Sequence, residues 1–167
     1  MASRRLLTIT FLASVCLASA QKAVDPLNLV LRQFLVQAAT GEAGTHEQLL
    51  ASPSSVTPGQ VLEQLLQATN VQAAALTRVH LQLPVPTGTT YLSQGGAGRD
   101  TTTEFSFDHG STYGLAPLKR KVKVVENGQS VTREVAVSPN EYTNVRWTVP
   151  TLAAGAVLNL TLRVTVR

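Results

Sequence analysis

Hydrophobic and polar positions alternate most cleanly at the C-terminal end of the chain. Leu158, Leu160, Leu162, Val164 and Val166 interleave with Asn159, Thr161, Arg163, Thr165 and Arg167, which predicts a strand with one face buried and one in water. Val145, Trp147 and Val149 alternate in the same way with Arg146 and Thr148; Pro150 is expected to close that strand and Gly155 to mark the turn that follows. Between Leu118 and Val137 the pattern predicts a hairpin, because Asn127-Gly128 suits the positive φ angles of a type I′ turn. Folding about that pair sets Val124 opposite Val131, Val122 opposite Arg133, Leu118 opposite Val137, Lys121 opposite Glu134 and Lys123 opposite Thr132. One face of the hairpin is then mostly apolar and the other polar, with a favourable charge pair.

The early half is ambiguous. Thr57-Pro58-Gly59-Gln60 has the form of a helix capping box, and Val61, Leu62, Leu65, Leu66 and Ala68 recur at helical spacing. Against a helix stand Gly59 in the first turn and the alternation of Val79, Leu81 and Leu83 with His80 and Gln82 up to Pro84. The apolar run from Leu27 to Gln37 is too short to choose between strand and helix.

Residues 1–20 have the form of an export signal. Arg4 and Arg5 precede a mainly apolar run from Leu6 to Leu17, and Ala18-Ser19-Ala20 is a small-x-small cleavage pattern that leaves Gln21 as the new N-terminus. The run is shorter than the ~20 residues a membrane span needs. Val15 before Cys16 does not match the small residue usual in a lipoprotein signal. Removal of this segment takes the 167-residue chain to 147 and removes its single cysteine, so neither disulfides nor a cysteine-rich zinc site is expected. Net charge falls from +4 to +2 as Arg4 and Arg5 leave. With 14% charged residues against a typical ~25%, no strong positive field favours nucleic acid.

Several segments have an ordered likeness to a known family. They are Val56-Thr57-Pro58-Gly59, Ala68-Thr69-Asn70, Leu83-Pro84-Val85-Pro86-Thr87-Gly88-Thr89-Thr90-Tyr91, Val145-Arg146-Trp147-Thr148-Val149-Pro150 and Leu152-Ala153-Ala154-Gly155. In order and spacing they resemble the repeat domain of bacterial cell-surface proteins known as the eleventh domain of unknown function. The likeness covers about residues 55–167. It implies an all-β, immunoglobulin-like β-sandwich with Gln60 to Thr69 as a strand. The chain departs from the family at Gln82, where an Asp often stands, and in the long stretch from Ser93 to Val137. The expected organisation is a signal peptide at 1–20, N-terminal strands and a loop joining the sandwich at 21–54, and the surface-repeat domain at 55–167.

Candidate chemistry is sparse. His46, His80 and His109 are far apart in sequence, without the short fixed spacing of zinc ligands. Asp25, Asp100 and Asp108 do not form a calcium loop, and no nucleophile elbow, P-loop or dinucleotide fingerprint is present. Ser106-Phe107-Asp108-His109-Gly110-Ser111-Thr112-Tyr113 resembles the Asp-box turn of sialidase propellers; in one copy it is expected to be a structural turn, with Phe105 and Phe107 facing inward. Lys119-Arg120-Lys121 is expected to be a solvated strand, Asn159-Leu160-Thr161 a chance glycosylation triplet and Gly95-Gly96-Ala97-Gly98 a flexible loop.

No catalytic, cofactor-binding or metal residue is assigned. The expectation is a secreted, non-enzymatic module of the bacterial envelope or cell surface. Its partners would be other envelope or surface-layer proteins or a cell-wall polymer, without nucleic acid or an integral membrane span. Two other readings stay open: a glycan or small-ligand module using Trp147, Tyr113, Tyr91 or Tyr142 as stacking platforms, and an exported hydrolase with a dispersed site.

Overall fold

The computed structural model describes residues 25–41, 44–51, 53–95, 98, 100–126 and 129–167. The export-signal pattern at 1–20 and the Asn127-Gly128 turn lie outside the described residues. The fold is all-β. The strands are β1 (Leu27–Gly41), β2 (Gly44–Ala51), β3 (Val61–Asn70), β4 (Leu76–Pro84), β5 (Thr89–Gly95), β6 (Thr102–Ser106), β7 (Lys119–Glu126), β8 (Gln129–Ala136), β9 (Asn144–Leu152) and β10 (Val157–Val166). They make a five-stranded sheet in the order β2-β1-β3-β10-β5, a three-stranded sheet β4-β9-β6, and a separate two-stranded sheet β7-β8. All pairings are antiparallel.

The two larger sheets share one core. Leu62, Leu66, Leu160, Leu162 and Val164 from the first join Leu81, Leu83, Val145, Trp147 and Val149 from the second in a single buried cluster. Trp147 is completely buried, as are Val145, Leu160, Leu162 and Val164. These are the inward positions that the alternation of β9 and β10 marks in sequence. Among the described residues no helix is long and apolar enough to cross a membrane.

The contested segment is a central strand, flanked by β1 and β10. Its inward positions run Leu62, Gln64, Leu66, Ala68 and Asn70, a period of two that puts two amides inward, while Glu63 on the other face is buried too. Outward-facing Val61 and Leu65 then complete a pattern that reads as helical. Pairing on both edges outweighs the local preference. The capping-box contact does form: the Thr57 N–H donates to Gln60 Oε1 at 2.8 Å. Gly59 sits at φ +87°, however, and turns the chain into a strand instead of a helix.

Pro150 does not end β9, contrary to the reading of the sequence; the strand continues to Leu152. The reason is the company it keeps. Opposite it, Arg78 drops out of the β4–β9 register at φ +51°, and β6 pairs with β9 only as far as Thr148. The missing N–H of Pro150 therefore faces no ladder partner that needs it.

Asn70 shows why a fully buried amide is tolerated. Its Nδ2 donates to the carbonyls of Ala74, Leu152 and Ala153 at 2.9–3.0 Å, and its Oδ1 accepts from the Gln72 N–H at 2.9 Å. One side chain thus fastens the β3–β4 turn to the end of β9. Gln64 is less well served, since its Oε1 is buried without a partner among the described residues.

Candidate functional site

The segment from Ser106 to Tyr113 leaves the end of β6 and folds into a self-contained turn. Asp108 organises it. Its Oδ1 accepts from Ser106 Oγ at 2.6 Å and from the Thr112 N–H at 2.9 Å, while Oδ2 accepts from Thr112 Oγ1 at 2.6 Å. Ser106 Oγ, itself buried, accepts from the Gly110 N–H at 2.9 Å. His109 and Gly110 both take positive φ, which the loop needs to reverse within so few residues. The hydrogen bonds from Ser106 and then Thr112 hold the Asp108 carboxyl at a pKa of about 2. All three side-chain hydrogen bonds of that carboxylate come from its own turn.

The aromatic candidates fall into two groups. Trp147 is sealed in the core, its indole N–H without a partner among the described residues. Tyr91, Phe105 and Tyr142 pack together with ring centroids 4.8–5.5 Å apart, and burial raises the Tyr91 hydroxyl to about 12. None of these rings offers a face to solvent. Tyr113 is the more accessible one, but the Arg146 guanidinium lies 4.1 Å over its ring and its hydroxyl donates to Gln82 Oε1 at 3.0 Å. Arg146 is in turn held by Glu104 at 2.9 Å. This Gln82–Tyr113–Arg146–Glu104 cluster spans β4, β9 and β6, and no local motif in the sequence reveals it.

The histidines lie apart on separate elements. His46 is exposed on β2, His109 is exposed in the Asp108 turn, and His80 on β4 sits 3.0 Å from Thr148 Oγ1. Among the described residues no group of three His, Cys, Asp or Glu could hold a metal ion. A cleft of about 470 Å³ opens at one end of the sheets between Pro84–Thr89, Asn140–Asn144, His109 and Arg167. It converges on no nucleophile–base pair. Asn159 of the glycosylation triplet is exposed and accepts from Gln67 Nε2 at 3.1 Å. In the Gly-rich loop, residues 96, 97 and 99 lie outside the described residues.

The β7–β8 hairpin differs from everything else in the molecule. Among the described residues it pairs only with itself, in the register the turn chemistry predicts: Lys121 opposite Glu134, Val122 opposite Arg133, Val124 opposite Val131. At its root Leu118 and Val137 are buried, joined by the Val137 N–H donating to the Leu118 carbonyl at 2.8 Å, and Arg120 pairs with Glu141. Beyond the root no residue of either strand is buried, and Val125 is 76% exposed. Lys119, Arg120, Lys121, Lys123 and Arg133 stand against Glu126 and Glu134, a net charge of +3. The other described residues carry five cations and seven carboxylates, a net charge of −2. Alternation places Lys119, Lys121 and Lys123 on one face, two residues apart, at a spacing of roughly 6.7 Å.

Elsewhere the charges tie strands together. Arg163 on β10 donates from Nε to Glu63 on β3 at 2.7 Å and from both terminal nitrogens to Glu47 on β2 at 2.8 and 3.1 Å. The forked contact depresses the Glu47 carboxyl and raises Arg163. The five-stranded sheet is thereby stitched to its outermost strand. Compared with protein-family models, with curated proteins and with solved structures, the chain finds no match.

Proposed function

We propose that this chain is an exported, non-enzymatic, immunoglobulin-like β-sandwich that works by contact in the bacterial envelope or at the cell surface. The two antiparallel sheets with a common core, the apolar-then-small pattern of residues 1–20 and the ordered segments between Val56 and Gly155 all favour this reading. One observation carries the functional part. Among the described residues the hairpin β7–β8 pairs with neither larger sheet and buries no residue beyond its root, and it carries a charge of +3 against −1 for the rest of the chain after residues 1–20. A cationic, self-paired arm is of little use to the core and well suited to an acidic partner.

The partner class is an anionic envelope protein or cell-wall polymer. The Lys119, Lys121 and Lys123 face supplies the attraction. Pull-down from the envelope fraction tests this. The full chain is expected to retain an acidic component, and the triple substitution of Lys119, Lys121 and Lys123 by Glu to lose it while keeping its melting temperature. Equal recovery by both proteins, or recovery of nothing by either, overturns the proposal.

A further inference from the structure

β1 is longer than the partner on its outer side. β2 pairs with Phe34–Gly41, whereas β3 pairs with Leu27–Val36 on the inner side. Among the described residues, no strand covers the outer edge of β1 from Leu27 to Gln33. The direction of its hydrogen bonds follows from one contact: the Pro26 carbonyl accepts from the Val71 N–H on the β3 side at 3.1 Å. Even-numbered residues therefore bond toward β3, and Leu27, Leu29 and Leu31 direct their N–H and C=O groups outward. The same leucines share the core-facing side of the sheet with Leu35, which is buried, yet Leu29 is 51% and Leu31 54% exposed.

We infer that this edge is a self-association site, at which a second copy of the chain adds its own β1 antiparallel about a twofold axis. The edge is complementary to itself. With Leu29 on the axis, Leu29 faces Leu29, Leu27 faces Leu31 and Leu31 faces Leu27, all at hydrogen-bonded positions. Three such pairs exchange about six N–H···O=C bonds. On the opposite face Asn28 meets Val30, so no charge faces a like charge. Pro26 meets Arg32, and beyond Gln33 the outer edge of β1 is already taken by β2, which pairs from Phe34.

Three other edge strands carry features that resist pairing. β4 has Arg78 at φ +51°, β6 is five residues long, and β2 bears His46 and Glu47. From Leu27 to Gln33 the open edge has no glycine or proline, and its one charge, Arg32, lies on the face opposite the leucines. The contact is isologous and closed, so it yields a dimer, not a fibre. It is small beside a standard interface of ~800 Å² per partner, so association is weak and is best sought at roughly 100 µM protein.

Sedimentation velocity of the chain as its exporting host releases it tests the assignment. Dimer is expected at the high concentration and monomer on dilution. Leu29→Lys sets two lysines face to face on the axis and is expected to weaken dimerisation at least about tenfold without lowering the melting temperature. Leu29→Pro removes only an outward N–H and is expected to do the same. Leu29→Cys is expected to cross-link to itself under mild oxidation and Asn28→Cys is not, since only residue 29 meets its own copy. A wild-type monomer at high concentration overturns the inference. So does a dimer that survives both Leu29 substitutions, or equal cross-linking at positions 28 and 29.

Discussion

The strands β9 and β10 and the hairpin β7–β8 are written in the same alternating code, yet the fold treats them in opposite ways. In the first pair the alternate residues of the strand centres disappear into the core, with Val145, Trp147, Leu160, Leu162 and Val164 fully buried. In the hairpin the valines have only each other. Val122, Val124 and Val131 are half-buried, and Val125 and Val135 are exposed. Alternation specifies that a segment is extended and which residues share a face. Whether a second layer covers that face is decided by the rest of the chain. In the body, aliphatic faces meet aliphatic faces; in the hairpin, five cations border the apolar positions and, among the described residues, no layer lies opposite.

Three substitutions sharpen the contrast within the body, and one extends it to the hairpin. Trp147→Ala is expected to cost about 3–5 kcal/mol in urea unfolding, because it empties a fully enclosed site at the junction of both sheets. Asn70→Ala is expected to cost about 2–3 kcal/mol, since the Ala74, Leu152 and Ala153 carbonyls lose a common donor. A loss below ~1 kcal/mol at either position would mean that the core is looser than its burial implies.

Asp108→Asn is expected to act through pH. The folded carboxyl titrates near 2, below its ordinary value of 3.8. Its contribution is therefore complete above pH ~4 and is lost as the pH falls toward 2. Thermal melts at stepped pH are expected to show the wild type ahead of Asp108→Asn at neutral pH and the gap closing between pH 4 and 2. A gap independent of pH would remove the carboxylate from its place at the centre of the turn. At the small end, Val124→Thr in the hairpin is expected to shift stability by only ~0.5 kcal/mol, the scale of one cross-strand pair.

Legibility in the sequence follows the same division. The alternation of β9 and β10 and the register of β7–β8 could be read directly, because inward positions are apolar and outward ones polar. β3 could not be read that way: Gln64 and Asn70 point inward while Val61 and Leu65 point outward, so the period-two signal cancels. Its strand state comes from pairing with β1 and β10, which no local window contains. Pro150 misled for a related reason, since Arg78, whose positive φ leaves the position opposite it unpaired, lies on another strand. The Asp108 turn was visible because its hydrogen bonds are local, spanning two to four residues. The Tyr113–Arg146–Glu104 cluster and the open edge at Leu27–Leu31 depend on which strands become neighbours, and so emerge only from the fold.

The most direct test is the salt dependence of retention on the organism's own envelope fraction. Contact through the β7–β8 arm predicts that the chain binds at low ionic strength and elutes progressively as salt rises, with the triple Lys→Glu variant of residues 119, 121 and 123 already unbound at the start. Retention that ignores salt, or that the three substitutions leave unchanged, would contradict the account.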